Sequence, residues 1–161
     1  MIKHSTWWLA FLLLVGGLLY GLLGRRLPTT EQRQLRDAFV WRLVSDQVVS
    51  LAIEYRDFKV ECERRRDGWF LTAPISGRAD AARIGQILNA LEDLPRIETV
   101  TADDRRRRNT SFDTYALGTP RGRVVVEYGG RREELWIGAV APVGEWLYVR
   151  LAGQEKVFVT V

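Results

Sequence analysis

Hydrophobic positions recur along this chain with three different rhythms. Residues 7–23 (WWLAFLLLVGGLLYGLL) contain no charged side chain. A run of that length sits at the short end of the roughly 17–25 apolar residues that cross a bilayer core as a helix. Trp7 and Trp8 stand at one end, where interfacial aromatics belong, and Lys3, Arg25 and Arg26 flank the run within reach of headgroups. A cleaved signal peptide needs a small-residue site after its apolar core, but GRRLPTT stands there. A buried core helix would show a polar face. The reading that remains is a single N-terminal membrane anchor at residues 1–24.

A connector follows at residues 25–47. Pro28 discourages continuation of the helix, and Thr29-x-x-Gln32 has the form of a capping box. Leu35, Phe39 and Leu43 recur every four residues, although Trp41 and Val44 blur the stripe.

From Val48 the rhythm drops to two. Leu51, Ile53 and Tyr55, then Phe58, Val60 and Cys62, alternate with polar or small residues and predict half-buried strands. Asp67-Gly68 marks a hairpin turn, and a third strand covers 69–72 before Ala73-Pro74. Arg64, Arg65 and Arg66 read as the hairpin tip. The rhythm then becomes helical. Asp80 is a fitting N-cap for a helix over 81–94, with Ile84, Ile87, Leu88, Leu91 and Leu94 on one face and Pro95 as its stop. Gly85 inside that helix points to a close approach of helix and strand. A short strand is expected over 97–100, a charged loop over 102–111 and one helical turn over 112–117. Period two returns in Val124, Val126 and Tyr128, in Leu135 and Ile137, in Leu147, Val149 and Leu151, and in Val157, Val159 and Val161. With Gly129-Gly130 and Gly153 as turns, this predicts an antiparallel meander of about four strands. The echo between Ile53-Glu54-Tyr55 and Val126-Glu127-Tyr128 allows two ββ-type units, at 48–100 and 112–161. The apolar strand ending at Val161 reads as a sheet edge or as a chain shorter than its relatives. The expected class is α+β: the anchor, then a mainly antiparallel β domain over 48–161 with one main amphipathic helix packed on the sheet.

Composition narrows the function. A chain of 161 residues suits one ordinary domain and excludes a large multidomain enzyme. One cysteine, Cys62, excludes an intramolecular disulfide and reads as a small buried residue. One histidine, His4, stands too early for a His-rich metal site or a Ser-His-Asp triad in the folded part. The acidic pairs at Glu92–Asp93, Asp103–Asp104 and Glu133–Glu134 are adjacent in sequence and cannot face one substrate together. No phosphate-binding loop or nucleophile elbow is present. The expectation is therefore a protein that is not an enzyme and takes no cofactor or metal. Net charge is only +4, too even for a nucleic-acid partner.

Two surfaces stand out. Arg105, Arg106, Arg107 and Arg108 form a run that reads either as an anion contact or as a solvated loop neutralised by Asp103 and Asp104. Trp136 lies opposite Leu135 and Ile137, and Trp146 opposite Leu147. With Tyr148 they make a candidate interaction surface, read either as aromatic packing or as a face for a partner, a glycan or a lipid.

Several short motifs occur in the order of a known family. Asp67-Gly68-Trp69-Phe70-Leu71-Thr72-Ala73-Pro74, then Ala79-Asp80 and the helix after it, resemble the opening of the bacterial domain of unknown function 4340. Tyr115-Ala116-Leu117-Gly118-Thr119-Pro120 resembles its Y-G-L-x-x-P motif, with Ala116 in place of the usual Gly, and Ile137-Gly138, Pro142 and Tyr148-Val149-Arg150 follow suit. The resemblance covers about residues 48–161. It implies a single-pass protein of the bacterial cytoplasmic membrane with its soluble domain in the periplasm. It also implies a membrane protein partner, a permease or auxiliary subunit of an ABC-type transporter like those of gliding-motility systems. It supplies no catalytic residues. Orientation by charge runs the other way, since Arg25, Arg26, Arg33 and Arg36 outweigh Lys3 and would hold the domain in the cytoplasm.

Overall fold

The structure, a computed structural model, describes residues 38–142 and 144–161. The expected anchor at 7–23 and the capping box at Thr29 lie outside these residues. Among the described residues no helix is long and apolar enough to cross a membrane.

Nine strands form one sheet. In chain order they are β1 (Val48–Tyr55), β2 (Phe58–Arg65), β3 (Gly68–Ala73), β4 (Gly77–Arg78), β5 (Glu98–Val100), β6 (Gly122–Tyr128), β7 (Arg131–Val140), β8 (Leu147–Leu151) and β9 (Val157–Thr160). Helix α1 (Ala81–Glu92) separates β4 from β5, and α2 (Ala102–Arg107) with a 3-10 turn (Phe112–Tyr115) separates β5 from β6. The strand order is β4-β3-β2-β1-β6-β7-β8-β9-β5, and every pairing is antiparallel. The expected meander is β6 to β9. The two halves are joined within the sheet, because β1 pairs with β6 from Ser50↔Glu127 to Tyr55↔Gly122. β9 is not an edge: β5 pairs outside it, Glu98 with Val159 and Val100 with Val157.

Alternation sorts the side chains onto two faces. Leu51, Cys62, Val124, Val126, Leu135, Val149 and Phe158 point into the main core, where Ile84 and Leu88 of α1 cover them. Val48 joins that face three residues before Leu51 because a register shift between Val48 and Ser50 resets the parity. Gly129 and Gly130 both take positive φ, 53° and 72°, as a tight two-residue hairpin requires.

Three differences from the sequence expectations have physical causes. Residues 102–107 are helical rather than looped, because Thr101 and Asp104 form a reciprocal capping box. Gly85 marks no close approach: a Cβ there would meet nothing within 4 Å. Arg64 and Arg65 belong to β2, where Arg64 donates to the Asp46 carbonyl and Arg65 lies over Phe70.

Residues 38–43, from the expected connector, carry core. Val40, Trp41 and Leu43 are buried with the main cluster. The Val40 N–H donates to the Leu94 carbonyl at 2.9 Å, and the Arg96 N–H to the Ala38 carbonyl at 2.7 Å. Trp41 Nε1 donates to Glu133 Oε2 at 2.6 Å. Burial and a hydrogen bond with the same Glu133 push the Tyr128 hydroxyl up to about 12.

A group held protonated by the fold stabilises it below its unfolded pKa and loses that contribution as pH rises to the folded value. For Tyr128 the window runs from about pH 10, the ordinary tyrosine value, to about 12, and its contribution is on the order of 2 kcal/mol. Urea midpoints of the full-length protein in detergent should therefore fall more steeply over that window than those of Tyr128→Phe. Parallel curves would remove Tyr128 as the cause.

Candidate functional site

The apolar face of the sheet packs against α1. Asp80 starts this helix by accepting from the Ala82 and Arg83 N–H groups at 2.9 and 3.3 Å. The i, i+3, i+4 spacing then turns Ile84, Ile87 and Leu88 toward β1–β3. Ile84 and Leu88 are buried, but Ile87 keeps 39% of its surface exposed. Between helix and sheet remains a cleft of about 250 Å³, floored by Leu51, Ile53, Val60, Cys62 and Leu71 and walled by Ile84 and Ile87. Arg78, Asp80 and Arg83 stand at its mouth. They are tied locally: Arg78 donates to the Asp67 carbonyl, and Arg83 pairs with Asp80 at 3.5 Å. Burial pushes the Cys62 thiol up, which keeps it protonated and a poor nucleophile. A site with this lining binds by excluding water from hydrocarbon.

The opposite face of β7 and β8 is covered by the chain itself. Trp136 and Arg150 are cross-strand partners, and the Arg150 guanidinium lies 4.3 Å from the Trp136 ring and 3.9 Å from the Phe112 ring. The Arg105 guanidinium takes the Phe112 ring at 4.0 Å and Glu155 at 2.7 Å. Burial lowers the Arg150 pKa, opposed by nearby Glu155, yet a guanidinium stays charged at any ordinary pH. Tyr115 meets Tyr148 edge-on at 4.8 Å, and its hydroxyl lies 3.1 Å from Thr110 Oγ1. Ala116 ends the 3-10 turn in the left-handed region (φ 54°, ψ 36°), which favours glycine, at the position where the resembled motif has Gly.

The structure thus separates the residues singled out in the sequence. Trp136 and Tyr148 pack together with Phe112 beside Tyr115 and Leu117. Trp136 also spends its N–H on Glu134 at 2.7 Å. Trp146 precedes β8, with its indole within 3.5 Å of where a Cβ on Gly144 would sit. The arginine run is split as well. Arg105 is 11% exposed and turned inward. Arg106 pairs with Asp103 and Arg107 with Asp104, while Arg108 caps the helix end. Hydrogen bonds from Thr101, and then Arg107, hold the Asp104 carboxyl well below the usual carboxylate range. Reading the sequence strand by strand misses Arg150 and Phe112, because the partner of Trp136 is set by the β7–β8 register. The cleft beside α1 is missed for the same reason, although Ile87 at the margin of the helix stripe was its signal.

Among the described residues no cluster of three or more His, Cys, Asp or Glu side chains is placed to hold a metal ion. A protein-family model for a domain of unknown function, DUF4340, matches residues 69–160. Neither the curated proteins nor the solved structures contain a match.

Proposed function

Because the chain belongs to the DUF4340 family, we propose that it is a non-enzymatic, membrane-anchored accessory protein of the bacterial envelope whose domain binds another membrane protein. The family stretch spans β3 to β9 and includes α1, so it takes in the helix wall of the apolar cleft. That cleft carries the reading. Its floor and wall offer shape and hydrocarbon, its charged groups Arg78, Asp80 and Arg83 are tied locally at the mouth, and Ile87 at its margin remains open to a partner. The partner class is a permease or auxiliary subunit of an ABC-type transporter, in keeping with the resemblance. The anchor holds the protein in the cytoplasmic membrane with its domain in the periplasm.

Purification of the full-length protein in mild detergent should retain such a subunit. Ile87→Asp places a charge against the cleft and should weaken capture about 30-fold, the effect of losing one interface hot spot, while leaving the circular dichroism spectrum unchanged. A protein that runs alone at every concentration, or an Ile87→Asp variant that captures normally, would refute the proposal.

A further inference from the structure

We propose that Arg150 is a receptor for a carboxylate presented by a partner protein, on the face of the sheet opposite the apolar cleft. Alternation puts Arg150 and its cross-strand partner Trp136 on that face, because their neighbours Val149, Leu151 and Leu135 fill the main core. The guanidinium is crowded by rings rather than by acceptor oxygens, Phe112 at 3.9 Å and Trp136 at 4.3 Å. Its Nε is buried without a hydrogen-bond partner. The two Nη groups also lack an acceptor among the described residues, but they are not sealed off, and they form a planar fork. Taking such a group partly out of water without an acceptor is costly, and the rings return only part of that loss. A carboxylate arriving edge-on takes both Nη groups in a bidentate pair.

The carboxylates of the surrounding elements are engaged elsewhere. Arg105 donates to the Glu155 carboxylate at 2.7 Å and to its carbonyl at 3.0 Å. Glu134 accepts from the Trp136 indole and faces Arg123 at 3.8 Å. Asp104 is taken by Thr101 and Arg107, and Asp103 by Arg106. Asp113 is turned back onto its own turn, beside Ser111 and Gly118. Residues 102–115 and 147–156, which hold α2, the 3-10 turn, β8 and the loop after it, carry six basic side chains against four acidic. That balance favours an incoming anion, and one open fork fits one monoanion. Arg, Trp and Tyr are the side chains that most often anchor protein interfaces, and here Arg150, Trp136 and Tyr148 stand half-buried on one face. A free carboxylate meets the fork alone. A chain that continues past its carboxylate also covers the two rings, so the occupant is an Asp or Glu in a polypeptide segment. This contact does not depend on the apolar cleft beside α1.

The test uses the full-length chain in non-ionic detergent with isotope-labelled arginine. It follows the Nε–H resonance of Arg150, which burial shields from exchange, and reads binding in parallel from the anisotropy of a fluorescent peptide. The probe is the blocked peptide acetyl-Leu-Glu-Leu-Glu-Leu-amide, compared with the same peptide carrying Gln for both Glu. The Glu peptide should shift the Arg150 resonance saturably and bind about 10-fold more tightly than the Gln peptide, the effect of one charge-assisted pair. Arg150→Lys, which keeps the charge and loses the fork, should abolish that preference, and Arg106→Lys should keep it. Equal binding of the two peptides to the unsubstituted protein, or no saturable shift with either, overturns the proposal without recourse to a variant. A preference that survives Arg150→Lys overturns it as well. Short-chain phosphatidylglycerol that shifts the resonance where the Glu peptide does not would assign the fork to lipid phosphate instead. If Glu155→Gln alone moves the resonance as far as the peptide does, Glu155 is the partner of Arg150 and the proposal falls.

Discussion

Trp41→Ala should cost the domain about 4 kcal/mol, within the range for removing a buried aromatic ring from a core. Trp41 is 2% exposed and packs in the same cluster as Leu51, Val126 and Leu135. Its indole N–H also holds Glu133, so the truncation leaves a half-buried carboxylate with Tyr128 as its remaining partner. A loss of that size is a large share of the roughly 5–15 kcal/mol that domains possess. The measurement is urea denaturation of the full-length protein in detergent. Trp41→Phe, which keeps most of the volume and removes the hydrogen bond, should lose only about 1–2 kcal/mol. Equal midpoints for Trp41→Ala and the parent protein would show that residues 38–43 are not part of the cooperative core. A stable fragment beginning at residue 48 would say the same.

Gly138→Ala should be nearly as damaging, for a steric reason. A Cβ at 138 would stand 2.2 Å from the Tyr115 carbonyl oxygen and 3.0 Å from Leu117 Cγ. A backbone carbonyl cannot swing aside as a side chain does, so the 3-10 turn must lift from β7. The expected cost is about 3 kcal/mol, at the upper end for overpacking. Lifting the turn also parts Tyr115 from Tyr148, so near-ultraviolet circular dichroism should change before the far-ultraviolet signal. Gly85→Ala is the control. It lies in α1 with open space around it, and should stabilise by up to about 1 kcal/mol through helix propensity. If the two alanines behave alike, close packing at 138 is not the cause.

Most of the fold was legible wherever the signal is local. Period-two alternation located β1, β2 and the β6–β9 meander, the Asp67-Gly68 turn and Ala73-Pro74 bounded β3, and Asp80 with its apolar stripe located α1. What was not legible depends on distant residues. α2 was hidden by its own charges: ADDRRRR reads as a solvated loop until Thr101 and Asp104 are seen to cap each other and Arg106 and Arg107 to pair one turn back with Asp103 and Asp104. The core role of Trp41 was hidden because its partner Glu133 is 92 residues away. At the candidate site, Ile84, Ile87 and Cys62 could be placed on apolar faces from the sequence. That those faces stop short of full contact is a result of packing and has no one-dimensional signature.

The position of β5 constrains the order in which the protein can be completed. β5 is made early, at residues 98–100, yet among the described residues its only strand partner is β9 at 157–160. During synthesis the segment around β5 must wait, unpaired, for more than fifty residues to emerge. β1 waits in the same way for β6 before its second edge is covered. The domain therefore closes late and all at once, like a clasp, with non-local pairings of the kind that slow folding. Until β9 arrives, the free edges of β8 and β5 are open to wrong partners, and a factor that shields them during that interval would raise the yield of folded protein.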